Sequence, residues 1–482
     1  MKAIMARRDP TSSGSGEGAS SARWALTGLL LSMLLSSLGT SIANVGLPTM
    51  AQAFAASFQQ VQWIVLAYLL AITTLIVSVG RLGDLTGRRR LLLIGIALFT
   101  AASVLCGLAP TLWSLIAART AQGLGAAVMM ALAMASVGET VPKSRTGSAM
   151  GLLGTMSAIG TALGPSLGGI LIAGLGWRAI FLVNLPLGLL TFVLAYRHLP
   201  IDRAAQNAKR TRFDRLGTLL LALTLAAYAL AMTLGRGHFG TLNIALLAAA
   251  ALGAALFVVS QARASSPLIR LAMFRDPALR ASLATNLLVS TVIMTTQVVG
   301  PFYLSRGLGL QTALVGVVIS VGPIVAALAG VPAGRIVDRL GTQRMTLIAL
   351  TGLALGAAVL SMIPTTFGVC GYIACLVVMT AGYALFQAAN NTAVMADVRP
   401  EQRGVISGML NLSRNLGLIT GASVMGAVFA LASTTTGITE APPEAVATGM
   451  RITFAVAAVL MLAALAIVEW KAASGMARSI EQ

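Results

Sequence analysis

The feature that most constrains this chain is a succession of apolar runs, each about as long as a bilayer crossing. A helix rises about 1.5 Å per residue, so about 20 apolar residues cross roughly 30 Å of hydrocarbon. Such runs, separated by charged or turn-forming residues, fall at 24–47, 60–80, 91–109, 112–138, 147–174, 179–198, 216–235, 242–261, 281–304, 312–333, 345–363, 368–392, 404–431 and 450–469. They are too long for barrel strands and lack a two-residue alternation, so they predict helices. The expected fold class is therefore an all-α integral membrane protein with fourteen transmembrane helices. Composition agrees: 10% of residues are charged, against about 25% in soluble proteins, too few to coat a water-exposed surface. All five tryptophans (Trp24, Trp63, Trp113, Trp177, Trp470) lie at run ends, where amphipathic rings favour the membrane interface.

The net charge of +19 is dispersed in short basic clusters between the runs, which argues against a nucleic-acid partner. With the N-terminus inside, 27 of the 33 Lys and Arg fall in cytoplasmic segments, four outside (Arg178, Arg236, Arg306, Arg451) and two within runs (Arg119, Arg414). The positive-inside rule selects this orientation, with both termini cytoplasmic. The Gly/Ser-rich segment 1–23 has no apolar stretch and reads as a disordered cytoplasmic tail, not a signal peptide. Cys106, Cys370 and Cys375 sit in apolar runs without CxxC spacing and read as small buried hydrophobes. The sequence offers no nucleophile–base pair, metal-ligand set or phosphate-binding loop, so an enzyme, a metal, a cofactor and direct use of ATP are not expected.

The chain repeats internally. Gly80-Arg81-x-x-Asp84-x-x-Gly87-x-x-Arg90 recurs as Gly334-Arg335-x-x-Asp338-x-x-Gly341-x-x-Arg344, and Glu139-x-x-Pro142-x-x-Arg145 recurs as Asp397-x-x-Pro400-x-x-Arg403, at offsets of 254 and 258 residues. Two motifs in the same order at nearly equal offsets imply two parallel six-helix halves, as in transporters that alternate access to a central site. The expected organisation is a tail (1–23), an N-terminal bundle (24–200), a linker with two inserted helices (201–275), a C-terminal bundle (276–470) and a cytoplasmic tail (471–482).

At these residues the sequence resembles the major facilitator superfamily, in its fourteen-helix drug:proton antiporter branch. Gly80 to Arg90 is similar to the superfamily's loop signature, and Arg119-Thr-Ala-Gln122-Gly123-x-Gly125 to its fourth-helix motif. Gly160-x-x-x-Gly164-Pro165-x-x-Gly168-Gly169 is similar to the antiporter motif of its exporters, and Trp177-Arg178-x-x-Phe181-x-x-Asn184-x-Pro186 fits the same branch. The resemblance implies secondary active export of small amphipathic compounds (multidrug efflux), driven by the proton gradient, in a bacterial inner membrane, by a monomer.

Several residues carry this expectation physically. Asp84 and Glu139 lie at helix ends within reach of Arg88, a cluster that latches the cytoplasmic side; Gly80, Arg81 and Gly87 shape its loop, and Asp338 and Asp397 repeat its acids. The alternative is a solvated loop that only sets topology. In the antiporter motif, small residues and Pro165 allow close approach at a moving interface, or ordinary helix packing. Arg119 is costly within a membrane by roughly 2.5–3.5 kcal/mol or more, which calls for a substrate or coupling role or, alternatively, bonds to carbonyls and Gln122. The aspartate that the branch often carries in its first helix is Gly39 here, and all 14 Asp and Glu lie in tails, loops or helix ends. That departure supports the competing reading, an exporter or facilitator of one anionic or zwitterionic metabolite with no first-helix proton carrier. The remaining candidates for substrate binding or coupling are Asn44, Asn286, Gln297, Arg414 and, at helical spacing, Tyr383, Gln387 and Asn391.

Overall fold

In a computed structural model, described for residues 14–141, 146–200, 214–234, 240–264, 267–268, 274–395, 403–433 and 441–480, fourteen helices are long and apolar enough to cross a membrane. Spans 1 to 6 are Ala22–Val45, Phe58–Ile76, Arg88–Leu108, Leu112–Val137, Leu152–Leu175 and Ala179–His198. Spans 7 and 8 are Arg215–Thr233 and Thr241–Arg263. Spans 9 to 14 are Pro277–Gly307, Thr312–Gly330, Thr342–Met362, Gly368–Val394, Met409–Ala432 and Pro443–Trp470.

The helices overrun the expected runs where nothing breaks them. The helix of span 1 starts at Gly14, so residues 14–23, expected to be disordered, are helical. The last helix continues to Ile480 through most of the expected tail. In both places the chain has no proline, and a membrane-held helix supplies the nucleus from which further turns propagate.

The sequence repeat is a structural repeat. Span 1 packs on spans 5 and 6, span 2 on 4, and span 3 on 4 and 6; span 9 packs on 13 and 14, span 10 on 12, and span 11 on 12 and 14. Every pairing recurs eight spans later. Gly87 and Gly341 have φ of 93° and 86°, a region open to glycine. Each closes the helix before it through its N–H, to the Gly83 and Val337 carbonyls, both at 2.9 Å. Spans 7 and 8 pair with each other, and span 7 lies against span 2. The halves meet where span 5 lies on span 10, span 2 on span 13 and span 1 on span 9. Odd-numbered spans start at the end of the bundle that bears the chain termini, here the terminal end; the opposite one is the far end.

Candidate functional site

Aromatic and amide side chains join the two halves near the far end. The capping box of span 2, in which Ser57 Oγ accepts from the Gln60 N–H and Gln60 Oε1 from the Ser57 N–H, fixes Phe58 at the helix start. Its ring meets Phe302 of span 9 edge-on at 4.7 Å and Phe429 of span 13 at 5.5 Å. One turn on, Gln62 donates to the Ala422 carbonyl at 2.8 Å, within a π turn over Gly421–Met425 that interrupts span 13. Below this plug, Asn44 Nδ2 of span 1 donates to Gln297 Oε1 of span 9 at 2.9 Å, which joins two sequence candidates across the halves. Gln62 Oε1 and Asn44 Oδ1 are buried with no hydrogen-bond partner.

The antiporter motif divides between two tasks. Gly160, Gly164 and Gly168 form one stripe against span 1, where a methyl group would run into Leu34, Ser41 and Ile42. Gly169 instead faces the other half: a methyl there would stand 3.0 Å from Gly316 Cα of span 10, and one at Gly316 would strike the Pro165 carbonyl. Toward the terminal end, a methyl added at Gly154 of span 5 or Gly330 of span 10 would meet nothing within 4 Å. The two helices therefore touch through Gly169 and Gly316 near the far end.

Beneath the Asn44–Gln297 contact lies a cavity of about 60 Å³, lined by spans 5, 9, 10 and 12. Its polar lining is neutral: Thr161, Thr296, Gln297, Thr380, Tyr372 and Tyr383. Pro165, Pro301 and Pro323 each stand four residues after a lining residue, Thr161, Gln297 and Ile319. A proline cannot supply the N–H that the carbonyl four residues back would accept. Three backbone acceptors on three helices thus lose their regular donors at one cavity wall. This pattern is visible in the sequence only once the cavity is known.

Arg119 does not line this cavity. It is fully buried, and its guanidinium donates to the Ile64 carbonyl (2.9 Å), the Gly39 carbonyl (3.1 Å) and Gln122 Oε1 (2.6 Å). Its Nη2 has no hydrogen-bond partner, but Cζ sits 4.0 Å from the centre of the Tyr68 ring, a cation–π contact. Gln122 also donates to Ser103 Oγ at 2.7 Å, so the network ties spans 1 to 4. Three hydrogen bonds to a charged group, at about 1.5–3 kcal/mol each, outweigh a membrane cost of roughly 2.5–3.5 kcal/mol. Of the two roles read for Arg119, the bonds observed are those of the second, carbonyls and Gln122. At Gly39, where the branch often carries an acid, a methyl would lie 2.9 Å from Tyr68 Oη, which donates to the Ser36 carbonyl. Tyr68, which sequence reasoning passed over, stacks its ring on the guanidinium without neutralising it.

Three other candidates assemble on the C-terminal half. Gln387 Nε2 donates to Tyr383 Oη (3.0 Å) and Asn286 Oδ1 (3.5 Å), and Asn286 donates to the Leu410 carbonyl at 3.0 Å. Asn391, one turn further on span 12, is exposed, and Arg414 is half-buried. In the loop signature, Arg88 Nη1 donates to the Ala135 carbonyl of span 4 at 3.3 Å, a contact within the N-terminal half. The side chains of Gly80, Arg81, Asp84 and Glu139, and all of Asp397, lie outside the described residues; Asp338 is exposed. Among the described residues no group of three His, Cys, Asp or Glu is placed to hold a metal ion.

Residues 29–422 match the family model of the Major Facilitator Superfamily. The chain belongs to that superfamily. It is 34% identical to the multidrug resistance protein Stp of Mycobacterium tuberculosis, over 84% of this chain and 75% of that protein. It is 28% identical to the riboflavin transporter RibZ of Clostridioides difficile, over 83% and 87%. Its fold matches a bacterial homologue of the human lysosomal transporter Spinster in an inward-facing, unoccupied conformation, with a TM-score of 0.68 at 16% identity, over 93% and 96% of the two chains. This superfamily member is a multi-pass transporter, not an enzyme, and a bilayer and a small-molecule substrate fit it.

Proposed function

We propose that this transporter exports small amphipathic compounds from the bacterial cytoplasm, by alternating access driven by the proton gradient. The observation that carries the reading is the closure between the halves. Aromatic and amide contacts join them near the far end, beside a cavity with a neutral polar lining. The 27-to-4 distribution of basic residues supports a cytoplasmic terminal end, so the far-end contacts close the outer side. Rocking about the span 5–span 10 crossing opens the far end to the outside. Similarity to proteins named for multidrug resistance and drug efflux supports export. The proton is the proposed energy source, and the cluster of Asp84, Arg88 and Glu139 the proposed control of the conformational balance.

A specific observation favours a second reading, transport of one metabolite without proton coupling: no carboxylate lies in the middle of a span, Glu444 and Glu469 standing at the two ends of span 14. Purified protein in liposomes separates the two, with amphipathic fluorescent dyes outside and pH and voltage gradients imposed separately. The proposal expects dye to accumulate against its gradient when the lumen is acid, and a protonophore to abolish this. Equilibration alone, indifferent to the pH gradient, favours the second reading.

A further inference from the structure

The helix Arg403–Thr420, which leads into and forms the first part of span 13, is amphipathic. Its apolar face is settled by contacts. Ser413 donates to the Leu283 carbonyl of span 9, Gly417 faces Leu287, and Leu410 accepts from Asn286. Asn411, Arg414 and Asn415, at i, i+3 and i+4, form a second stripe that is half-buried. Arg414 lies roughly 100° round the helix from Ser413. Nearer the far end, past the π turn, Gly426 of the same span meets Gln62 and Phe58 of span 2. Counting the extra residue of that turn, Arg414 shares the direction of Gly426, toward the N-terminal half. At its own level, opposite Leu283 to Leu287, it lies about 10 Å on the terminal side of the cavity that begins at Ile293.

Arg119 and Arg414 therefore differ in kind. The first is enclosed and satisfied by carbonyls, an amide and a ring. The second is partly accessible, its Nε is buried without a hydrogen-bond partner, and every carboxylate of the chain stands in a tail, a loop or at a helix end. An ionised side chain at such depth faces a water-filled path or a partner. A planar guanidinium with open donors favours a carboxylate or a comparable oxyanion, which it can bind through two parallel hydrogen bonds.

We propose that Arg414 is the anion-recognising residue of the transport pathway, and that the preferred amphipathic substrates carry a carboxylate or similar acidic group. The inference rests on the transport reading above and adds the charge class. Fluorescein, an anion with a carboxylate, and rhodamine 6G, a cation on a similar xanthene frame, are suitable probes. Their binding to the detergent-purified protein is followed by fluorescence anisotropy. The wild type is expected to bind fluorescein at least tenfold more tightly than rhodamine 6G. Arg414→Gln should weaken fluorescein at least tenfold and leave rhodamine 6G unchanged or improved, and Arg414→Lys, which keeps the charge but not the paired donors, should retain part of the preference. Should Arg414→Gln not yield folded protein, loss of the preference in a folded Arg414→Lys overturns the proposal. A wild type with no preference for fluorescein also overturns it, as does an Arg414→Gln that weakens both dyes alike or neither. Because binding is read without transport, an intact charge preference in a protein that fails to export would count against the export reading and leave this one standing.

Discussion

Phe58→Ala should unlatch the far end by an amount the geometry sets. The Phe58 ring is 1% exposed and makes two edge-on contacts, at 4.7 Å and 82° with Phe302 and at 5.5 Å and 66° with Phe429. Both partners belong to the other half, so these contacts exist only while the far end is closed. Aromatic pairs of this kind contribute about 0.5–1.5 kcal/mol each beyond the area they bury. Their loss removes about 1–3 kcal/mol from the closed state alone, a shift of about 5–150-fold in the ratio of states. Spin labels at Gln52 and Gln311, exposed residues in the far-end connections of the two halves, report that ratio by double electron–electron resonance. The wild type should show mainly the short separation, and the variant a long separation raised by that factor. An unchanged distance distribution in folded Phe58→Ala protein would refute the assignment of the plug.

Other substitutions probe neighbouring parts of the account. Gly169→Leu inserts a side chain where a methyl would stand 3.0 Å from Gly316 Cα, and should slow transport of every substrate while leaving each half folded, measured as dye flux and as the thermal midpoint in detergent. Arg119→Ala removes three hydrogen bonds that tie spans 1, 2 and 4; it should lower the thermal midpoint, with a loss of about 3 kcal/mol or more, without reordering a substrate panel. Gly39→Asp should destabilise because Tyr68 Oη occupies its space, and adding Tyr68→Phe should recover part of the loss. Additive effects in that double-mutant cycle would contradict the steric account.

The number of spans, their parallel halves and the repeated turn glycines could be read from the sequence, because a bilayer converts length directly into topology. Twenty apolar residues state that a helix crosses but not which face it turns inward, since lipid and protein interior are almost equally apolar. Arg119 illustrates the limit. Its bond to Gln122, three residues away, follows from helical spacing, whereas the carbonyls of Gly39 and Ile64 and the ring of Tyr68 come from other spans and have no signature of their own. Asn44 and Gln297 stood out as isolated polar residues, yet their pairing across the halves required three-dimensional structure. Phe58, Phe302 and Phe429 carried no signal, because an aromatic residue in a span is ordinary until its neighbours are known. The antiporter motif was legible as small residues, but not its division between span 1 and span 10.

The most direct test of alternating access is a reversible tie across the far end. Asn44 and Gln297 touch through their side-chain amides at 2.9 Å, and the three native cysteines are free and open to replacement. In that background, Asn44→Cys with Gln297→Cys is linked by a short bifunctional thiol reagent cleavable by reduction, in liposomes loaded for dye transport. The account predicts that transport stops in proportion to the linked fraction and returns on reduction, while each single-cysteine protein treated alike keeps its rate. Undiminished transport by fully linked protein would show that the far end need not open, and would contradict the mechanism.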